Sequence, residues 1–267
     1  MREKEQANPI DTKEKISHTP HSVRFFEIDM LRGLAIILMI FGHILWDLDY
    51  FGIMPMNNAV YSIIQKAVPP LFFLLVGVSL IVAEKKMENS NPKNERKYYL
   101  NTISRGLKIF NLGMVLTIGS LLFIPDKPVF FGVLHCIGLS VILSAIFLKF
   151  RKYNLLIALI LIFSGTILAQ QYIENPTSFQ LLIGLHPADI WSHTVDYFPL
   201  LPWFGICLLG IVIGDWLYSG EERRFRMPDL SNYRPIKMVQ WFGKHSLSIY
   251  LLHQPIIAGI LFAFFLL

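Results

Sequence analysis

The chain has 267 residues, of which 54% are hydrophobic and 16% are charged, and its mean hydropathy is +0.49. A soluble domain carries about 25% charged residues, so this composition excludes an ordinary soluble protein. The formal net charge of +5 does not indicate nucleic-acid binding, because the basic residues lie in short connections between apolar runs, as membrane topology requires.

Seven apolar segments are each long enough to cross a bilayer, which takes about 20 helical residues. In chain order they cover residues 28–48, 60–83, 103–124, 130–149, 153–172, 200–218 and 245–267. Pro69 and Pro70 interrupt the second segment, so we expect residues 57–66 to lie along the membrane interface. The predicted fold is all-α: a polytopic transmembrane bundle of about seven helices over residues 28–267, preceded by a polar, disordered segment at 1–27.

The connections between these segments predict the topology. Of the 24 Lys and Arg residues, 21 fall on one side, in the segment before helix 1 and in the 2–3, 4–5 and 6–7 connections. By the positive-inside rule this side is cytoplasmic, which puts the N-terminus inside and the C-terminus outside. An even number of helices would break the alternation, so the charges favour seven and a multi-pass protein of the cell membrane.

Helix 1 carries four polar residues on one narrow stripe when its residues are plotted at 100° intervals: Asp29, Arg32, His43 and Asp47. His43 follows Arg32 by 11 residues, which is about 16 Å along a helix axis. Polar groups inside a spanning helix normally face the bundle interior and mark a functional path. The alternative is that Asp29 and Arg32 are an interfacial anchor pair and that His43 is a satisfied core histidine.

Three further helices contribute candidates. Arg105 and Lys108, at the inner end of helix 3, are either topology signals or contacts for a phosphorylated cytosolic ligand. His135 enters helix 4 from the outer side, and Asp196 stands just before helix 6. Both either line an outward cavity or are interface residues.

The last helix contains His253 well inside the bilayer, on one face with Ser246 and Tyr250. Pro255 frees a backbone carbonyl near this histidine. The alternative to a functional role is that His253 and Gln254 are hydrogen-bond links between helices. The sequence contains neither CxxC nor HExxH, and we predict no metal site.

The residues of helix 1 also resemble a known family. EIDMLRGLAIILMIFGH is similar to the first helix of membrane acyltransferases, with the Arg-x10-His spacing of the acyltransferase-3 family at Arg32 and His43. VLHCIGLS, DYFPLLPWFGICLLGIVIG and FGKHSLSIYLLHQP resemble the relatives of the heparan-α-glucosaminide N-acetyltransferase catalytic domain. In the lysosomal enzyme the catalytic histidine follows helix 1, whereas the matching stretch around Met54 has no histidine here. This departure favours the acyltransferase-3 arrangement.

The resemblance implies an acyl-CoA-dependent acetyltransferase. Acetyl-CoA, the donor substrate, would bind from the cytoplasm, and its acetyl group would pass to an amino-sugar, hydroxyl or glycolipid acceptor on the outer side. The implied partners also include membrane lipid and a second copy in a homodimer, but no nucleic acid. The implied roles are His43 as general base in a catalytic group with Asp47 and His253; Asp29, Arg32, Arg105 and Lys108 at the CoA; and His135 and Asp196 on the acceptor side.

Two other functions stay open at this point, as does the choice between His43 and another histidine as the base. A proton-coupled transporter would use His43, His253 and Asp47 as a relay, although the sequence has no visible inverted repeat of the kind many transporters contain. A non-catalytic membrane scaffold of the same fold would bind no acyl donor.

Overall fold

A computed structural model of the chain describes residues 24–55, 57–90 and 92–266, and in these residues the fold is helical without any strand. Residues 1–23 of the predicted N-terminal segment lie outside this range. The α-helices are α1 (Phe26–Tyr50), α2 (Asn58–Ser90), α3 (Glu95–Phe123), α4 (Val133–Phe147), α5 (Asn154–Leu168), α6 (Ser178–Ile183), α7 (Ile190–His193), α8 (Leu200–Leu217), α9 (Arg234–Lys244) and α10 (Ser246–Leu261).

The described helices confirm a multi-pass membrane protein. Six elements are long and apolar enough to cross a bilayer: α1, α2, α3, the stretch Val133–Leu168, α8, and α10 with its extension to Phe264. Large apolar side chains on α3 and α5 are exposed, among them Val115, Leu122, Ile160 and Phe163. In a membrane, these side chains face lipid.

The stretch Val133–Leu168 consists of two helices, α4 and α5, that run in opposite directions. The backbone is non-helical at Arg151, between them. Contacts with α8 give the two directions, since α4 runs parallel to α8 and α5 runs antiparallel to it. The contacts are Cys136 with Pro199, Ser144 with Cys207, Ala158 with Gly205, and Gly165 with Pro202. Counted separately, α4 and α5, of 15 residues each, would bring these six elements of the described chain to the seven helices that the sequence predicts.

The two prolines of α2 do not divide it. Residues 58–66 do not form a separate helix, because α2 is one helix from Asn58 through Pro69 and Pro70 to Ser90. Each proline removes one backbone donor, but packing against neighbouring helices maintains such helices in membranes. Ala67 therefore lies within a helix that has already begun.

The core lies between α2, α4 and α8. Helices α2 and α8 approach so closely that a Cβ atom on Gly77 would lie 2.0 Å from the carbonyl oxygen of Cys207, and one on Gly210 would lie 2.1 Å from that of Leu74. Small residues commonly allow such contacts between membrane helices. The buried side chains around them include Phe73, Ile81, Cys136, Leu208 and Ile211.

Helix α9 was not predicted. It packs against the first half of α1, where a Cβ atom on Gly33 would lie 1.9 Å from the carbonyl oxygen of Val239, and one on Gly243 would lie 1.8 Å from that of Asp29. We call the end of the bundle that carries α9, the start of α1 and the α4–α5 turn the basic face, because the connections rich in Lys and Arg meet there.

The start of α1 is held at the basic face by an ion pair. Arg223 donates to the carboxylate of Glu27 through Nε at 2.6 Å and Nη2 at 2.8 Å, and the hydroxyl of Tyr218 donates to the same carboxylate at 3.2 Å. The hydrogen bond to Glu27 raises the pKa of Arg223. The connection after α8 is thereby fastened to α1 before α9 begins.

Candidate active site

The two histidines predicted to lie deep in the bundle are in contact. His43 of α1 and His253 of α10 have their ring centroids 4.7 Å apart, with the rings edge to face. Helix α10 runs parallel to α1, so residues far apart in the sequence meet at one depth. His253 is buried and His43 is half-buried. These two imidazoles form the centre of the candidate site.

His253 is hydrogen-bonded to its own helix. Its Nδ1 lies 2.6 Å from the carbonyl oxygen of Tyr250. Its other ring nitrogen, Nε2, is buried and has no hydrogen-bond partner in the described residues. A buried polar atom without a partner costs about 1–3 kcal/mol, so it calls for an explanation.

Asp47 is paired with an amide, not with a histidine. Gln254 donates from Nε2 to both carboxylate oxygens of Asp47, at 2.9 and 3.0 Å, and Asp47 is only 1% exposed. Because the carboxylate takes the amide nitrogen, Gln254 presents its Oε1 away from Asp47, buried and without a partner among the described residues. Asp47, expected to act with His43, therefore anchors α10 to α1 through Gln254.

Arg32 lies on α1 between the two histidines and the basic face. Its guanidinium donates to Oδ1 of Asp29 at 3.3 Å and to Oγ of Ser79 on α2 at 2.7 Å. A guanidinium has five N–H donors, so these two bonds leave donors for a ligand. Its side chain is 23% exposed, which leaves it accessible.

The predicted cationic cluster is only loosely assembled. Arg105 of α3 is exposed and lies within electrostatic range of Arg32. Lys108 is exposed one turn further along α3. Gly106, between them, packs against α4, and Lys108 lies nearly opposite Gly106 around the helix.

His135 is surrounded by α3 and α4 and is 1% exposed. Its Nδ1 accepts a hydrogen bond from the backbone N–H of Gly132 at 3.2 Å, and its Nε2 lies 3.5 Å from Oγ1 of Thr117. The ring stands edge to face against Phe110. Nδ1 is thus engaged at the N-terminus of α4 and Nε2 in the contact with α3, which favours a packing role for His135.

Asp196 lies at the opposite face, next to the N-terminus of α4. Its Oδ2 accepts a hydrogen bond from the backbone N–H of Val133 at 3.1 Å. Burial raises the pKa of Asp196 to about 6, against the lowering effect of the Val133 hydrogen bond. Tyr250 of α10 lies within electrostatic range of this carboxylate. Asp196 is therefore near α10, the helix that carries His253.

Two surface cavities lie away from the histidines. One of about 660 Å³ lies at the basic face between Phe25 and residues 221–228, and one of about 360 Å³ lies beside Tyr99 and Phe150. Within the described residues, no three His, Cys, Asp or Glu side chains are grouped as metal ligands would be. The candidate site is defined by its polar groups.

Sequence reasoning missed two partners in this site. Ser79 stands in an apolar stretch of α2, and nothing in its sequence context identifies it as the partner of Arg32. Gln254 was noted beside His253 but not assigned to Asp47. The only hint in the sequence is that Gln254 directly follows His253, so the two polar side chains lie next to each other on α10.

The family described as "Heparan-alpha-glucosaminide N-acetyltransferase, catalytic" matches residues 24–255 of the chain. This match covers α1 to α9 and most of the polar residues of α10, including both histidines of the candidate site. The chain has no match among the curated proteins or among the solved structures.

Proposed function

The chain belongs to the heparan-alpha-glucosaminide N-acetyltransferase catalytic family, and we propose that it is a membrane-embedded acetyltransferase. The donor is acyl-CoA, with acetyl-CoA as the first candidate, bound at the basic face. The acceptor is the amine or hydroxyl of a sugar or glycolipid, bound from the opposite face. We assign the basic face to the cytoplasm.

The observation that carries this proposal is the contact of His43 with His253, with the lone Nε2 of His253 buried between helices. A thioester is already an activated acyl donor. The protein has to supply a base for the acceptor, an ordered path for the donor and protection from water. Histidine is the side chain best suited to accept a proton near neutral pH.

The positions of the charged groups support a donor that enters from the basic face. Arg32 keeps free N–H donors, which suit the oxygens of a phosphate. Arg105 and Lys108 add positive charge on the exposed surface of α3. The distance from Arg32 to His43 is about 16 Å along α1, and the residues between them are apolar. A cation, an apolar stretch and a histidine, in this order, fit a phosphate group followed by an extended thioester arm.

On the acceptor side, Asp196 is the candidate carboxylate, and Gln254 offers a buried carbonyl oxygen to a hydrogen-bond donor. His135 is a weaker candidate, because both of its nitrogens are bound within the protein. The Asp29 carboxylate orients Arg32, and its negative charge moderates the affinity of that site for phosphate.

The test is transfer of labelled acetyl from acetyl-CoA to a panel of amino-sugars and sugar alcohols by the purified protein. We expect transfer by the wild type and a large loss for the double variant His43→Asn, His253→Asn. Arg32→Gln is expected to raise the KM for acetyl-CoA more than it lowers kcat. The matched control is His245→Asn, at an exposed histidine between α9 and α10, which should transfer like the wild type.

Two other outcomes would replace the proposal. Proton-driven flux in liposomes without an acyl donor would favour a transporter. No acetyl transfer, together with no thermal stabilisation by rising acetyl-CoA, would favour a scaffold, because any ligand that binds the folded state stabilises it in proportion to the logarithm of its excess.

A further inference from the structure

The hydrogen bond of His253 fixes which of its nitrogens is basic. Nδ1 lies 2.6 Å from the carbonyl oxygen of Tyr250. A carbonyl oxygen only accepts, so Nδ1 must carry the hydrogen and donate it. In a neutral imidazole the other nitrogen then carries the lone pair, and this makes Nε2 the proton-accepting atom.

The surroundings of this nitrogen favour a reacting group over a structural one. Nε2 is buried and has no hydrogen-bond partner among the described residues. The ring lies next to that of His43, with the centroids 4.7 Å apart. A hydrogen from an acceptor amine or hydroxyl would satisfy the lone pair, whereas no described protein group does.

The other histidines of the bundle lack this combination. His135 has the opposite tautomer, since its Nδ1 accepts the Gly132 N–H and its Nε2 is directed at Thr117. His43 has no hydrogen bond in the described residues that fixes its tautomer. His245 makes the same type of bond, from Nδ1 to the carbonyl oxygen of Trp241 at 2.9 Å, but it is exposed at the basic face.

We propose that Nε2 of His253, rather than a nitrogen of His43, is the general base of the acetyl transfer. This rests on the proposed function. The acceptor nitrogen or oxygen attacks the thioester carbon while its proton passes to Nε2. The carbon–sulfur bond then breaks, and its electron pair leaves with the CoA sulfur as a thiolate. The imidazolium returns the proton to that thiolate, which yields the acetylated acceptor and the free thiol.

The same hydrogen bond supports the protonated intermediate. When Nε2 takes the proton, Nδ1 still donates to the Tyr250 carbonyl, whose negative end faces the new positive charge. A second charge on His43, one ring away, would be repelled, so only one histidine of the pair is protonated at a time. His43 then serves as a neutral contact for the acceptor or the acyl group.

The experiment compares His253→Asn with His43→Asn. Asparagine puts an amide nitrogen near the position of Nδ1, so the bond to the Tyr250 carbonyl is retained while the base is removed. We expect kcat of His253→Asn to fall by about 10²–10⁴-fold, the usual contribution of a general base. The KM for acetyl-CoA should change by less than about threefold, and His43→Asn should keep more kcat than His253→Asn.

The pH profile provides a readout that a structural role would not change. In the wild type, kcat/KM should fall at low pH as the base is protonated, and this acidic limb should be absent in His253→Asn. His245→Asn, which loses a histidine with the same type of bond outside the site, should keep the wild-type profile. Thermal stabilisation by acetyl-CoA shows that each variant is folded and binds the donor.

The possible results are distinct. If His253→Asn keeps its acidic limb and a kcat within tenfold of the wild type while His43→Asn loses both, His43 is the base and the inference is overturned. If the wild type transfers no acetyl group, the proposed function fails and the inference with it. If His253→Asn does not fold, diethyl pyrocarbonate on the wild type decides: inactivation with label on His253, prevented by acceptor, supports the inference, and inactivation with label on His43 alone refutes it.

Discussion

Replacing Asp196 by asparagine should make the protein more stable at neutral pH and remove a pH dependence of its stability. Asp196 lies in the connection between α7 and α8, and burial raises its pKa to about 6 from the ordinary 3.8. Its Oδ2 accepts the Val133 N–H, and it is crowded by Gly132, on which a Cβ atom would lie 2.1 Å from Oδ2. Tyr250 of α10 lies within electrostatic range of it.

The sign follows from proton binding. Between about pH 4 and pH 6 the folded state holds the proton of Asp196 while the unfolded state has lost it, so the folded state binds more protons. The free energy of unfolding therefore falls as pH rises through this window and is level above it. A shift of about two pH units is worth about 3 kcal/mol. Because Asp196 is half-buried, this is an upper limit. Asparagine stays neutral and keeps an oxygen for the Val133 N–H.

The assay is thermal unfolding of the wild type and Asp196→Asn in the same detergent, from pH 4 to pH 8. The two proteins should be similar near pH 4, and the variant should gain up to about 3 kcal/mol above pH 6. Asp126→Asn, at an exposed carboxylate of the same face, is the control and should show no such gain. The reasoning is refuted if Asp196→Asn is less stable than the wild type at pH 7.5, or if the difference does not change with pH.

Two further substitutions test the packing at the basic face. Gly33→Ala should destabilise by about 1–3 kcal/mol in thermal unfolding, because its Cβ atom would lie 1.9 Å from the carbonyl oxygen of Val239 and the two helices must separate. Gly119→Ala, with no atom within 4 Å of the new Cβ, is its control and should be neutral or stabilising. Glu27→Ala should cost about 3 kcal/mol, because Arg223 loses its partner at a partly buried site. Faster proteolysis after Tyr218 would support this, and unchanged stability would show that the ion pair is incidental.

The crossing helices could be predicted from the sequence because a bilayer imposes a length and an apolar composition on each of them. What composition could not show is where a helix continues into water. Helix α3 begins at Glu95, well before the apolar run from residue 103, and α2 continues to Ser90 beyond residue 83. Charged residues such as Lys97 are good helix formers, so these ends stay helical outside the apolar window.

Helix α9 shows what a search for apolar runs misses. Its sequence RPIKMVQWFGK has apolar or small residues at Ile236, Val239, Phe242 and Gly243, which is helical spacing, but it is too short and too charged to be read as a crossing. The sequence therefore predicts a connection at these residues. Its close contact with α1 depends on two glycines about 200 residues apart, which no local pattern reveals.

The candidate site was predictable along one helix and not between helices. The stripe on α1 predicted that Arg32 and His43 share a surface, and Asp29 does bind Arg32. The partners came from other helices: Ser79 for Arg32, His253 for His43 and Gln254 for Asp47. The polar stripe of α1 thus contacts α2 near the basic face and α10 deeper in the bundle.

This division follows from the number of crossings. With seven, the first and last spanning helices run in the same direction, so a polar pair on α10 meets a polar pair on α1 in the same order, His253 at His43 and Gln254 at Asp47. The Gln254 bonds to Asp47 then hold the register of α10, while Gly33 and Gly243 hold the start of this helix pair at the basic face. Since one residue of helix turns a side chain by 100°, a shift of a single residue in α10 would turn the His253 ring away from His43. The ion pair at Glu27, the glycine contact and the Asp47 anchor are therefore structural conditions of the proposed chemistry.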